Sequence, residues 1–145
     1  MVYIISEICG QWGGSMRKAE QMILQSKFSG ADAVKIQLYD TYEMPGKNRK
    51  QWEYLNFTKE QFLGLSNFCK NLNIDFFASC FQEKYFKWIL QEDIKINKIA
   101  SSTLNDKEFC KKMLETGIKT YASLGHWQEN ELPFLEHQNL EFFHC

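Results

Sequence analysis

The stretch Gly30-Ala31-Asp32-Ala33-Val34-Lys35-Ile36-Gln37 places a glycine before a short apolar run that contains one lysine. A glycine in this position is typical of the residue that follows the end of a helix. The apolar run is typical of a strand that is buried on both faces, as in a parallel sheet covered by helices. Lysine is rarely buried unless its ammonium group is paired or faces a polar pocket. The stretch therefore predicts a buried strand with one polar contact.

The same arrangement recurs along the whole chain. Segments with helical spacing alternate with the runs, and Thr58 with Gln61 and Asn105 with Glu108 have the spacing of capping boxes. Gly117, like Gly30, stands just before a strand. The order predicts an α/β fold with five βα units and a sixth strand. The apolar runs lie at 2–5, 33–36, 74–78, 96–99, 120–122 and 140–143.

Repeated βα units fit either an open doubly wound sheet or a (β/α) barrel. No GxGxxG motif follows the first strand, which weakens the dinucleotide-binding form of the open sheet. A barrel predicts that functional residues recur at the carboxyl ends of successive strands. Because polar residues do recur there, we favour a TIM-type (β/α) barrel. At 145 residues it would be incomplete, since a whole barrel needs about 250.

The composition restricts the class of partner. Hydrophobic residues make up 44% of the chain and charged residues 24%, as in a soluble globular domain. The net charge of −1 and the lack of a long basic run argue against nucleic-acid and membrane partners. Five scattered cysteines argue against disulfides and a zinc site. With no signal peptide or membrane-spanning stretch, we expect a cytoplasmic protein that binds a small molecule or another protein.

Polar residues collect at the predicted strand ends. One carboxylate, two ammonium groups and three hydroxyls would meet on one face, which suits a small phosphorylated anion. Simpler explanations stay open: the serines could cap helices, Glu7 and Lys35 could form a structural ion pair, and either lysine could lie at an edge. The histidines share no ligand spacing, so we assign no metal to them. The set is Glu7, Lys35, Gln37, Ser79, Lys98, Ser101, Ser123 and His144.

One long connection interrupts the pattern. Residues 40–57 contain Pro45-Gly46, several charges and Trp52. In a barrel this connection would lie on the catalytic face, where long loops serve as lids or substrate contacts. A plain surface excursion is the alternative.

Five motifs together resemble the N-acetylneuraminate (sialic acid) synthase family, which includes the pseudaminic and legionaminic acid synthases. The resemblance runs in order along the chain. It implies a divalent-metal-dependent condensation of phosphoenolpyruvate with the open-chain aldehyde of an N-acylated amino sugar, giving a nine-carbon 2-keto acid and phosphate. The motifs are Ile4-Ile5-Ser6-Glu7-Ile8, residues 30–37 quoted above, Phe77-Ala78-Ser79-Cys80-Phe81, Lys98-Ile99-Ala100-Ser101-Ser102 and Phe142-Phe143-His144-Cys145.

Carried over by motif, the resemblance gives each strand-end residue a role. Glu7 would be the catalytic carboxylate, while Gln37 and His144 would line the site. Mn²⁺ or Mg²⁺ would polarise the aldehyde oxygen as a Lewis acid. The phosphate and carboxylate of phosphoenolpyruvate would be held by Lys35, Ser79, Lys98, Ser101 and Ser123.

The chain also departs from the family. It has Gln11-Trp12 where the family usually has Asn-His, and the segment between Ser123 and His144 is short, which predicts a reduced fifth helix. We expect residues 1–145 to supply the N-terminal part of the barrel, without the later strands, the metal-binding histidines or the C-terminal antifreeze-like domain. A homo-oligomer or a complementing chain would then complete it. The alternative is a non-catalytic half-barrel that binds phosphate ligands or a partner chain.

Overall fold

A computed structural model of the protein describes residues 2–43 and 49–145. Pro45-Gly46, part of the predicted lid, lies outside the described residues. Two 3₁₀ helices, Cys9–Trp12 and Arg49–Leu55, follow the first two strands. The described strands are β1 (Ile5–Glu7), β2 (Ala33–Leu38), β3 (Asp75–Cys80), β4 (Ile96–Ile99), β5 (Lys119–Ser123) and β6 (Leu140–Phe143); the described helices are α1 (Met16–Phe28), α2 (Lys59–Asn71), α3 (Glu83–Ile89) and α4 (Lys107–Leu114).

The six strands form one parallel sheet in chain order, from β1 to β6. A doubly wound sheet reverses its strand order part-way, whereas a (β/α) barrel adds each new strand beside the last. The observed order is that of a barrel. Among the described residues, β1 and β6 lie at the two ends of the sheet.

Alternation along β2 separates a polar face from an apolar one. Val34 and Ile36 are fully buried among the residues of the hydrophobic core. Side chains of adjacent strand residues point to opposite faces, so Lys35 and Gln37 share the other face. The register aligns Glu7 with Lys35. It also aligns Gln37 with Ser79 and Ser79 with Lys98, so these polar residues lie on one side of the sheet.

The helix ends follow local chemistry. Thr58 and Gln61 form the predicted capping box, with both reciprocal hydrogen bonds present. The second predicted cap was wrong by one residue: the Asp106 carboxylate, rather than the Asn105 side chain, accepts the Phe109 N–H at 3.1 Å. An aspartate at that position satisfies the N3 amide and also adds negative charge at the positive end of the helix.

Two elements differ from the expected pattern. The first strand starts at Ile5 rather than at residue 2, and the Asp32 carboxylate accepts the Ile4 N–H at 2.7 Å. Within the described chain, no α-helix joins β5 to β6, so the fifth unit lacks its helix. Pro133 lies in that short segment, and proline removes a helical hydrogen bond and clashes with the preceding turn.

None of the described helices has the length and apolar character needed to cross a membrane.

Candidate functional site

A cavity of about 380 Å³ opens on the polar face of the sheet, at the carboxyl ends of the strands. Every strand from β1 to β6 has a lining residue within it or just after it. Seven of the eight residues singled out in the sequence line this cavity: Glu7, Lys35, Gln37, Ser79, Lys98, Ser101 and Ser123.

Lys35 lies between an acid and a hydroxyl. Its side chain is buried, its ammonium group forms an ion pair with the Glu7 carboxylate, and it donates a hydrogen bond to Ser79 Oγ at 3.0 Å. The ion pair that the sequence suggested as a structural feature is therefore present. Since Glu7 and Lys35 both line the cavity, a ligand bound there would contact this ion pair.

Lys98 is the more deeply buried of the two lysines, with 4% of its surface exposed. It donates hydrogen bonds to Ser123 Oγ at 2.8 Å and to the Ile99 carbonyl at 2.7 Å. Burial lowers the pKa of Lys98 to about 8, and the nearby positive charge of Lys35 contributes to that shift. No carboxylate hydrogen-bonds to Lys98 among the described side chains, so its charge is the less compensated one.

Cys9 fixes the orientation of two groups in the cavity. Its backbone N–H donates to Glu7 Oε1 at 2.8 Å, and its thiol donates to Gln37 Oε1 at 3.0 Å. The Cys9 φ of +32° is unusual for a residue other than glycine. Because the Gln37 carbonyl oxygen is used in this way, its amide nitrogen remains to serve as a donor.

The structure excludes helix capping as the role of the three serines. The residue that caps α3 is Gln82, and the residue that caps α4 is Asp106, while no described helix follows Ser123. Ser79 and Ser123 instead accept hydrogen bonds from the two buried lysines. A side chain at Gly125 would come within 3.6 Å of Ser101 Oγ, so that hydroxyl lies under the turn after β5.

His144 is not among the residues that line the cavity, and its side chain is exposed. The preceding residue, Phe143, lines the cavity instead and lies under the ammonium group of Lys98, 5.6 Å from Nζ to the ring centroid. Sequence reasoning missed Phe143 as a site residue. The two-residue alternation of β6 would have found it, because Phe143 pairs in register with Ser123.

The arrangement favours an anion. Two ammonium groups against one carboxylate leave the cavity with net positive charge when Lys98 is protonated, and hydroxyls lie beside both lysines. Charge-assisted hydrogen bonds of this kind are the strong contacts by which proteins bind phosphate and carboxylate groups.

The described residues do not provide a set of ligands for a divalent metal ion. Within 2–43 and 49–145, no group of three or more His, Cys, Asp or Glu side chains is placed to hold a metal ion. The Glu7 carboxylate is already shared between Lys35 and the Cys9 amide. These residues therefore do not fit the Mn²⁺ or Mg²⁺ that the family resemblance implies.

Comparison with known proteins identifies the family. A model of the NeuB family matches residues 22–135, well over half of the chain. The chain belongs to the NeuB family. Among curated proteins, this NeuB chain is 31% identical over 143 residues to N-acetylneuraminate-9-phosphate synthase of Drosophila melanogaster, and 28% identical over 148 residues to pseudaminic acid synthase of Campylobacter jejuni.

The relatives are longer proteins. The match covers 86% of this chain and 38% of the Drosophila protein, and 90% of this chain and 43% of the Campylobacter protein. The NeuB chain thus spans less than half the length of these curated relatives.

A solved structure confirms the fold. The N-acetylneuraminic acid synthetase of Leptospira borgpetersenii, solved in complex with citrate, superposes with a TM-score of 0.91 at 26% identity. The superposition covers 99% of this chain and 54% of that one. The predicted architecture, an incomplete TIM-type barrel, is therefore correct: the six parallel strands form a curled half-barrel.

Proposed function

We propose that the cavity binds phosphoenolpyruvate, with Lys35, Ser79, Lys98, Ser101 and Ser123 around its phosphate and carboxylate groups. The observation that carries the proposal is a pair of buried lysines, each hydrogen-bonded to a serine hydroxyl of the next strand. Lys35 of β2 donates to Ser79 of β3, and Lys98 of β4 donates to Ser123 of β5. A buried ammonium group without a full counter-charge favours an anionic ligand, because the ligand offsets the cost of burying the charge.

The reaction that we propose for the whole protein joins this donor to an N-acylated amino sugar of the N-acetylmannosamine type. C3 of the donor forms a bond to the aldehyde carbon of the sugar, water adds at C2, and the C2–O bond to phosphate breaks. A nine-carbon 2-keto acid and phosphate result. Glu7 would take the proton from the attacking water or from a sugar hydroxyl, since it is a carboxylate that reaches the cavity.

The side-chain NH₂ group of Gln37 would donate a hydrogen bond to an oxygen of phosphoenolpyruvate or of the sugar. It is directed to this role because the Gln37 carbonyl oxygen already accepts a hydrogen bond from the Cys9 thiol. The Lys35 ammonium group keeps the Glu7 carboxylate oriented through their ion pair. The metal ion, Mn²⁺ or Mg²⁺, would have to take its ligands from outside the described residues. Any substrate contact made by later strands would also come from outside them. We also propose that the protein acts in the cytoplasm, and that a second copy or a complementing chain contributes to the barrel.

The second candidate function is a non-catalytic half-barrel that binds phosphate ligands or a partner chain. One observation favours it, namely that the described residues contain no grouping able to hold the metal that the reaction requires in the family. Turnover separates the two candidates. Phosphate released from phosphoenolpyruvate in the presence of N-acetylmannosamine and Mn²⁺ would support the synthase function, and binding without release would support the non-catalytic one.

Thermal unfolding tests the donor site itself. Phosphoenolpyruvate should raise the Tm of the unmodified chain, because a ligand that binds only the folded state stabilises it. The double variant Lys35→Ala, Lys98→Ala should lose that increase. Lys112→Ala is the matched control, since Lys112 is an exposed lysine paired with Glu83 on the outer helices. No increase in the unmodified chain would refute the proposed site.

A further inference from the structure

Cys9 has a backbone conformation that favours glycine. Its φ is +32°, in the left-handed region that side chains with a Cβ rarely adopt. Strain of this kind, kept at a residue other than glycine, points to a role for the side chain that causes it. The Cys9 thiol donates a hydrogen bond to Gln37 Oε1 at 3.0 Å, and Gln37 lines the cavity. The strained residue therefore acts on the cavity through its side chain.

Gln37 stands at one end of a row of three residues that crosses the sheet. The register pairs Gln37 with Ser79 and Ser79 with Lys98, and all three line the cavity. Ser79 Oγ accepts a hydrogen bond from Lys35, so the hydroxyl hydrogen of Ser79 remains to donate. The Lys98 ammonium group uses two of its three N–H groups within the protein and keeps the third. Two members of the row are thus donors toward a ligand.

The orientation of the Gln37 amide decides whether the third member is a donor as well. With its carbonyl oxygen on the Cys9 thiol, its NH₂ group is left for the cavity. A reversed amide would place the carbonyl oxygen beside a bound anion and the NH₂ group against sulfur, which accepts hydrogen bonds only weakly. A cysteine that merely filled space would leave the amide free to turn. The observed hydrogen bond favours the orienting role.

We propose that Cys9 is a positioning residue for ligand specificity: its thiol fixes the Gln37 amide so that the row Gln37, Ser79 and Lys98 offers only donors to an anion. The effect on anion binding rests on the proposed function, whereas the orientation of the amide rests on the hydrogen bond. The proposal also explains the cysteine at positive φ. Glycine would relieve the strain at this position and would lose the thiol.

Calorimetry with inorganic phosphate measures the role of the thiol. Gln37→Ala should weaken phosphate binding at least about tenfold, because a hydrogen bond to a charged group is lost. Cys9→Ala should weaken it about three- to tenfold, because the ligand must then order a freed side chain. In the Gln37→Ala background, Cys9→Ala should change nothing, since the thiol acts only through that amide. Cys9→Ser keeps a donor and should bind within about twofold of the unmodified chain.

Cys9→Gly separates the backbone strain from the effect on the ligand. Glycine accepts the positive φ, so the Tm of Cys9→Gly should exceed that of Cys9→Ala. Phosphate binding should nevertheless be equally weak in both variants, because both lack the thiol. Asn73 is the matched control: it has a φ of +50° and follows α2 outside the cavity. Neither Asn73→Ala nor Asn73→Gly should alter phosphate binding.

Nuclear Overhauser contacts in the ligand-free chain test the orientation of the amide. The NH₂ protons of Gln37 should contact the β-protons of Ser79, its neighbour in the sheet, and not those of Cys9. In Cys9→Ala the amide is free to turn, so contacts between these NH₂ protons and the methyl group at position 9 should appear.

The outcomes decide the positioning role separately from the donor site. Phosphate binding by Cys9→Ala that equals that of the unmodified chain overturns the role, and so does an equal loss in the Gln37→Ala background. Contacts between the Gln37 NH₂ protons and the Cys9 β-protons in the unmodified chain overturn it as well, because they show the reversed amide. If the unmodified chain binds no phosphate but gives the expected contacts, the donor site is refuted and the positioning of Gln37 is upheld.

Discussion

Replacing Lys98 with methionine should change how the stability of the protein depends on pH. In the folded chain the pKa of Lys98 is about 8, against an ordinary value of 10.5, because the ammonium group is buried. Between these two pH values the unfolded chain holds a proton that the folded chain has released. The free energy of unfolding therefore rises with pH across that window, and the contribution of Lys98 is flat below it.

The size of the effect follows from the two pKa values. Each unit between them corresponds to about 1.4 kcal/mol, which gives an upper limit of about 3 kcal/mol for Lys98. Structural relaxation around a buried charge reduces such effects, so we expect about 1 to 2 kcal/mol between pH 7 and pH 10. Methionine has a similar length and cannot titrate. The free energy of unfolding of Lys98→Met should therefore rise less between pH 7 and pH 10 than that of the unmodified chain, by this amount.

Urea unfolding of both proteins at pH 7, 8, 9 and 10 measures the difference. Both proteins carry Cys145→Ser, because the Ser123 hydroxyl and the charge of Lys98 lower the pKa of the Cys145 thiol and that thiol would otherwise titrate differently in the two proteins. Lys112→Met is the matched control, because its exposed ammonium group pairs with Glu83 and its pKa is raised rather than lowered. The difference in free energy of unfolding between Lys112→Met and the unmodified chain should stay constant from pH 7 to pH 10. Parallel pH curves for Lys98→Met and the unmodified chain would refute the assignment of a buried, weakly compensated charge.

Three further substitutions test other parts of the structure. Thr58→Ala removes the capping box and should lower the free energy of unfolding by about 1 kcal/mol in urea; no measurable loss would contradict the cap. Gly14→Ala should cost at least about 2 kcal/mol, because its Cβ meets the Tyr54 carbonyl, and more than Gly30→Ala, which has positive φ but open space. Glu7→Gln removes the carboxylate from the cavity and should tighten the binding of phosphate at least about tenfold, measured by calorimetry. A unit charge about 6 Å from the phosphate contributes about 3 kcal/mol at an effective dielectric constant of about 20. Weaker binding by Glu7→Gln would refute the electrostatic reasoning.

Most of the fold could be predicted from local patterns. Apolar runs of strand length, the glycines at Gly30 and Gly117, and the capping box at Thr58 all appear where the structure has the corresponding strands and helix ends. Such signals depend on a few adjacent residues. The short segment between Ser123 and His144 predicted a reduced fifth helix, and the structure goes further, with no α-helix between β5 and β6. Its length alone could not separate a short helix from an irregular segment, although Pro133 favours the latter.

The candidate site was predicted as a set of residues, but not as a set of contacts. Parallel strands bring their carboxyl ends together, which is why Glu7, Lys35 and Lys98 could be grouped from the sequence. His144 was grouped with them by its position after a strand, whereas the side-chain alternation gives that place to Phe143. The bridging role of Cys9 depends on a φ of +32°, which no sequence pattern predicts for a cysteine.

The alternation in β2 restricts how this sequence can change during evolution. Substitution at Lys35 or Gln37 alters one contact in the cavity and leaves the packing against the helices in place. Insertion or deletion of one residue earlier in the strand would instead send both polar side chains toward the helices and bring Val34 and Ile36 into the cavity. Length changes within this strand would thus damage binding and folding in a single event. Homologous chains should vary in length at the connections and keep the six residues of β2 without gaps.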